Sequence, residues 1–261
     1  MDLNGCSNLP ILVRRLVAPS ERELAGVLRV MRLAFEHDPF VSALLAGNLS
    51  PERVDALNGC MVRGALVEGE GEVWVAEVER EEMNGVREVV GQALWFLPGY
   101  HFMSSERQRE VVRWEELGRL LGEKQERWFL EYCLPRLGAL FARCLPTPGD
   151  TIDDSYHLQI VSVLPEYHNH GVAGAVVAPV FERAVRTGRR VLGEATKAHN
   201  VKVYEHVGCK LLGVEEFWPL PENGGESFKL WAMELKPEAL TVNPHWSKRK
   251  TRTPARTLAK L

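Results

Sequence analysis

The chain has 261 residues, 45% of them hydrophobic and 26% charged, the balance of a folded globular protein rather than of a disordered or collagen-like one. Its net charge of −3 is uneven: residues 245–261 carry Lys248, Arg249, Lys250, Arg252, Arg256 and Lys260 and no acid, which leaves 26 basic against 35 acidic groups before them. An acidic body argues against a broad nucleic-acid surface, and there is no run of about 18 apolar residues to span a membrane.

After a short apolar run, Ile11 to Val17, the segment Ser20-Glu21-Arg22-Glu23 has the form of a capping box and opens a helix. Leu24, Val27, Leu28, Met31 and Phe35 continue it at helical spacing until Asp38-Pro39, which is expected to stop it. Ser50-Pro51 starts a second helix, to about Val67. The pattern then changes to runs rich in Val and Trp, Val73 to Val78 and Val89 to Leu97, read as an antiparallel hairpin with Asn84-Gly85 near its tip. Residues 105–144 read as mainly helical in two pieces, the second bent at Pro135. A strand from Tyr156 to Leu164, a turn and a helix from Gly171 to about Arg186 follow. Val191 to Thr196 is a further strand, Asn200 to Val207 a short helix, and Leu211 to Phe217 with Phe228 to Leu235 a closing pair of strands. The five cysteines are scattered and never in a C-x-x-C pair, so neither a disulfide framework nor a zinc site is indicated and a reducing, cytoplasmic setting is expected. The opening residues lack the apolar run and cleavage site of a secretory signal.

The chemistry concentrates where the central strand turns into its helix, at His168-Asn169-His170-Gly171-Val172-Ala173-Gly174. Backbone N–H groups in a first helical turn have no intrahelical acceptor and sit at the positive end of the dipole, so a phosphate can bind there. Gly171, Ala173 and Gly174 are small enough for close approach, although a glycine in such a turn also serves simple turn geometry.

About 30 residues on comes Asn200-Val201-Lys202-Val203-Tyr204-Glu205-His206-Val207-Gly208-Cys209. Together the two segments resemble the GNAT superfamily of acetyl-coenzyme A-dependent N-acetyltransferases: a strand ending V-x-P, then Q/R-x-x-G-x-G/A opening the central helix, then N-x-x-x-Y-x-x-x-G-F. Val163-Leu164-Pro165, Gly171, Ala173, Asn200, Tyr204 and Gly208 stand at the matching positions. Phe35-Glu36-His37-Asp38-Pro39 and Ala93-Leu94-Trp95-Phe96-Leu97-Pro98-Gly99 extend the likeness to fungal and bacterial small-molecule-type members. Two positions depart: His168 replaces Gln or Arg, and Cys209 replaces Phe.

The resemblance implies an α/β fold for residues 1–236, with a mixed, twisted sheet of about seven strands, helices on both faces and a helical insertion over 105–144. The sheet should be splayed open near Val163 to admit acetyl-coenzyme A. It further implies that the backbone of Val161 and Val163 pairs with the pantetheine arm. His168 and the amides of His170, Gly171, Val172, Ala173 and Gly174 would hold the pyrophosphate, and Asn200 would contact the arm from the other side. Tyr204 would protonate the departing thiolate, or else be a packed helix aromatic. His157 is the first candidate for the base that deprotonates the amine, because imidazole titrates near neutrality; Glu194, within an apolar strand, is the second. Phe35, Trp95 and Trp128 are candidates to line the acceptor pocket, with the core as their plain alternative, and the insertion is placed to cover it.

The expected reaction is direct attack of a small-molecule primary amine on the thioester, without a covalent enzyme intermediate, a metal, a nucleic acid or a membrane partner, by a monomer or homodimer. A coenzyme A-binding scaffold without catalysis is the alternative. A nucleotide-binding domain is disfavoured by the lack of G-x-G-x-x-G and G-K-S/T. Residues 237–261 read as a basic, disordered tail, whose Ala259-Lys260-Leu261 is similar to a peroxisomal import signal and whose Lys248-Arg249-Lys250 is similar to a nuclear one.

Overall fold

In the computed structural model, residues 11–80, 86–145, 149–223 and 225–242 are described. Asn84-Gly85, Cys6 and residues 243–261, with the two address-like segments, lie outside them; Pro237 to Val242, at the start of the expected disordered tail, are helical instead.

Seven strands form one mixed sheet: β1 (Leu12–Arg15), β2 (Gly71–Arg80), β3 (Val86–Phe96), β4 (Tyr156–Val163), β5 (Val191–Ala195), β6 (Lys210–Phe217) and β7 (Phe228–Leu235), in the order β1-β2-β3-β4-β5-β7-β6. Every pairing is antiparallel except β4 with β5. The apolar run at Ile11 is the edge strand β1, too short for alternation alone to declare it.

Helix α1 (Glu21–Ala34) begins in a full capping box: the Ser20 hydroxyl accepts from the Glu23 N–H while the Glu23 carboxylate accepts from the Ser20 N–H at 2.7 Å. The Ser20 hydroxyl, which also donates to the carboxylate at 2.6 Å, the Ser20 N–H and Arg14 together hold the Glu23 carboxyl down at about 2. α1 ends at Ala34, four residues before the expected stop. Asp38-Pro39 instead starts a new helix, α2 (Pro39–Leu44), because an Asp cap followed by Pro in the first turn is a start signal as much as a stop. α3 (Pro51–Ala65) follows, with Pro51 in its first turn.

The insertion is more broken than its apolar spacing suggested. Three short helices, α4 (Glu106–Val111), α5 (Trp114–Leu121) and α6 (Glu123–Arg127), lead into a π-helical turn at Trp128–Cys133 and then α7 (Leu134–Cys144). Pro135 stands inside a helical run continuous from Glu123 to Cys144, at the junction where the π-helical turn passes into α7. The central helix is α8 (Val172–Thr187); α9 (Ala198–His206) and α10 (Pro237–Val242) complete the described helices. Among the described residues no helix is long and apolar enough to cross a membrane.

Helices cover both faces of the sheet. α8 packs on one, where Phe181 meets Trp95 edge to face with centroids 5.7 Å apart and Val172 abuts Gly91. On the other, α1 closes on β3 at Gly26 and Val89, and α3 reaches Phe96 through Phe102. Buried Leu, Val and Phe from both faces form one continuous core.

Candidate active site

The site begins where two parallel neighbours part. β4 and β5 pair through Tyr156, His157 and Leu158 against Val191, Leu192 and Gly193 and no further. Beyond that point Glu194 and Ala195 of β5 pair with β7, while Ile160 to Val163 of β4 pair with β3. Leu164 donates its N–H to Val90 of β3. Because alternate residues of a strand turn their backbone groups to opposite edges, those of Val161 and Val163 face the opening. A bulge in the β3–β4 register at Gln159 lies at the same level.

At the mouth of the fork, the chain leaves β4 through a 3₁₀ turn at Pro165–Tyr167 and enters α8 with Asn169 and Gly171 at φ +64° and +76°. Asn and Gly are the residues that tolerate this conformation best. The first described i to i−4 bond of α8 is from Ala175 N–H to Gly171 C=O, so the amides of Val172, Ala173 and Gly174 precede the intrahelical ladder. His168 and His170 are exposed beside them. The His168 ring is not turned outward: its Nε2 donates to the carbonyl of Val163 at 3.1 Å, tying the turn back to the strand. The amides of His168 and His170 point back to Pro165 and, at 3.4 Å, to Tyr167, so the strongest anion donors begin at the helix itself.

The fork opens into a cavity of about 120 Å³. Gln159, Ile160 and Val161 of β4, Glu194 and Thr196 at the end of β5, and Asn200 and Tyr204 of α9 line its inner side. Phe35, Phe40, Leu57, Met61, Leu137 and Leu230 supply an apolar wall. Burial raises the Tyr204 hydroxyl well above an ordinary tyrosine, with Cys209 and Glu194 adding to the effect, so it holds its proton at neutral pH. Burial likewise pushes the Cys209 and Cys133 thiols up to about 12, unsuited to nucleophilic attack.

The two candidate bases are in contact. His157 Nε2 lies 3.1 and 3.0 Å from the two carboxylate oxygens of Glu194, but only Glu194 lines the cavity. His157 is set behind it, its ring edge to face with Phe141. His157, the first candidate base from sequence, is therefore not among the cavity-lining residues. The side-chain alternation of β4 and β5 that separates the two was not evident without the pairing register.

Of the three aromatics proposed for the acceptor pocket, Phe35 lines the cavity. Trp95 does not: it is fully buried on the α8 side of the sheet, since pleating turns its side chain opposite to Phe96. Trp128 is also core, its indole N–H donating to Trp218 C=O at 2.9 Å and its ring against Tyr132. The insertion reaches the cavity by Leu137, and Gln125 Nε2 braces α2 by donating to Ala43 and Leu44 carbonyls.

Asp38 was missed as a site residue. Its carboxylate caps α2 by accepting from Phe40 and Val41 N–H at 3.0 and 3.1 Å and also accepts from the Thr196 hydroxyl, so it fastens the cavity wall to the end of β5. The Asp-Pro pair was the signal, had it been weighed as a helix start.

No family model and no curated protein matches the chain. Among solved structures it is similar to the polyamine N-acetyltransferase of Drosophila melanogaster, which forms N-acetylagmatine, with a TM-score of 0.55, 16% identity and coverage of 87% of this chain and 100% of that one. It is also similar to arylalkylamine N-acetyltransferase 2 from Aedes aegypti, with a TM-score of 0.54, 18% identity and coverage of 87% and 99%. The seven-stranded mixed sheet with helices on both faces agrees with that likeness: the chain has the fold of the GNAT N-acetyltransferases.

Proposed function

We propose that this protein transfers an acetyl group from acetyl-coenzyme A to the primary amine of a small molecule. The observation that carries the reading is the parting of β4 from β5 after Leu158, with helix-terminal amides at one end and Glu194, Asn200 and Tyr204 on the cavity at the other. The residues fit the cosubstrate: glycine and alanine at the start of α8 leave room for a diphosphate, and the β4 edge from Val161 to Val163, apart from the Val163 carbonyl that His168 holds, faces the opening where an amide-bearing arm would lie. His168, His170, Gly171, Val172, Ala173 and Gly174 form the diphosphate end in this reading, and Asn200 the opposite side of the arm.

Acetyl-coenzyme A supplies the activated acetyl group as a thioester. Glu194 takes the proton from the acceptor ammonium, leaving an amine lone pair for direct attack on the acetyl carbon. The Tyr204 hydroxyl gives its proton to the sulfur as the carbon–sulfur bond breaks. Once the carbon–nitrogen bond has formed, the nitrogen loses its second proton, which restores Tyr204, and the proton held on Glu194 leaves to solvent, so each turnover gives amide, free thiol and one released proton with the enzyme unchanged; both groups line the one cavity in which this occurs. Asp38 is already committed to the α2 cap and Thr196, which favours Glu194 as the base.

The apolar wall and small volume favour an amine with an apolar body over a long polycation. Purified protein incubated with acetyl-coenzyme A and a panel of arylalkylamines, agmatine, polyamines, amino acids and aminoglycosides is expected to release thiol and form an N-acetyl product with at least one of them. Retention of coenzyme A without thiol release from any would point instead to a binding or scaffold protein.

A further inference from the structure

We propose that His157 is a positioning residue for Glu194: its Nε2–H donates to the carboxylate and fixes it, as the anion, at the fork facing the cavity. The inference deepens the acetyl-transfer reading and rests on it for its kinetic consequence; the contact itself stands on geometry alone.

His157 is only 4% exposed and is register-paired with Leu192, two residues before Glu194 on the neighbouring strand. Its Nε2 is equidistant, within 0.1 Å, from both Glu194 oxygens at 3.0 and 3.1 Å. The Glu194 side chain is 10% exposed, so an anion there needs a donor. The other ring nitrogen, Nδ1, is buried with no hydrogen-bond partner among the described residues, and the ring packs edge to face with Phe141.

That asymmetry selects one protonation state. An imidazolium would bury an unsatisfied N–H at Nδ1. The Nδ1–H tautomer would do the same and would also set a nitrogen lone pair against a carboxylate. The neutral Nε2–H tautomer alone gives the carboxylate a donor and leaves only a weak acceptor unpartnered. The dyad thus runs in the order cavity, carboxylate, imidazole. When Glu194 gains the ammonium proton on one oxygen, the other keeps its bond to His157; the ring stays neutral and exchanges no proton, so its task is orientation.

Nitrogen-15 NMR of the full chain at neutral pH is expected to show His157, assigned by its disappearance in His157→Gln, as a neutral ring protonated on Nε2. A ring protonated on Nδ1, singly or doubly, overturns the proposal whether or not the protein turns over. In the kinetic arm, His157→Gln places an amide N–H near the Nε2 position and is expected to keep kcat within about threefold, while His157→Leu lowers kcat by about tenfold or more with KM for both substrates changed less than about twofold. Equal losses in the two variants, or a loss confined to KM, overturns it. Absence of thiol release by the unaltered protein is failure of the acetyl-transfer reading instead, and the tautomer then decides the contact.

Discussion

The ring of His168 reaches back to Val163 and donates Nε2–H to its carbonyl at 3.1 Å, closing the connection between β4 and α8 with a side chain where the two φ-positive residues, Asn169 and Gly171, provide only curvature. The ring lies five residues along the chain from that carbonyl and ties the turn before α8 to the end of β4. His168→Ala is expected to raise KM for acetyl-coenzyme A several-fold with kcat within about twofold, and His168→Gln, which keeps a donor, to restore it. Steady-state kinetics at varied acetyl-coenzyme A separate the two; an unchanged KM in His168→Ala would remove the ring from cosubstrate binding.

Tyr204 holds its proton firmly because burial and the nearby Glu194 carboxylate both disfavour the phenolate. Tyr204→Phe preserves the ring and deletes the donor, and is expected to lower kcat by about 10²-fold while the Kd for coenzyme A, measured by calorimetry, moves little. Equal losses in both would mean that the ring, not the hydroxyl, matters.

A side chain at Gly91 would put its Cβ 2.5 Å from Cγ1 of Val172, the first residue of α8. Valine is too short to swing aside, so relief must come from the helix. Gly91→Ala is expected to cost about 1–3 kcal/mol in denaturant unfolding and to weaken coenzyme A binding at the same time, because strain is relieved by moving the cradle itself. A stability loss with unaltered Kd would show that the strain is absorbed elsewhere.

Asp38 joins α2 to the end of β5 by three hydrogen bonds. Asp38→Ala is expected to destabilise by about 1–2 kcal/mol through loss of the cap and to raise KM for the amine more than KM for acetyl-coenzyme A, since Phe40 and Val41 on the cavity wall lose their anchor. Asp38→Asn retains an acceptor for the two amides and should recover most of the stability.

The Ser20–Glu23 capping box carries its own pH signature. The Glu23 carboxyl lies at about 2 when folded, held down first by the Ser20 hydroxyl and amide and then by Arg14, against 4.5 as the ordinary value. A depressed carboxyl pKa contributes stability that is fully present above the ordinary value and is lost as pH falls from 4.5 towards 2. Glu23→Gln should therefore flatten the decline in stability over that interval, as read by thermal unfolding at successive pH values, and a decline identical to that of the unaltered protein would discount the contribution.

Local chemistry alone was enough for the capping box at Ser20, the Pro51 start of α3, the hairpin of β2 and β3, and the strand, turn and helix around Gly171. Each of these is written in contiguous residues whose backbone preferences need no distant partner. The π-helical turn at Trp128 and the three short helices before it were not evident, because a stripe of apolar residues at helical spacing reads alike whether the helix is continuous or broken.

The same division runs through the site. From the chain alone came the kinds of group present: helix-terminal amides after Pro165, an asparagine and a tyrosine on one short helix, and a histidine and a glutamate each in a strand. Only the tertiary structure decided which of them face one another. Register across β4 and β5 put His157 behind Glu194, and the pleat of β3 turned Trp95 to α8. The pairing of α2 with β5 brought Asp38 to Thr196 across 158 positions of sequence. A strand's face is set by which residue of another strand it meets, and that choice is made by packing over the whole sheet rather than by the residues on either side.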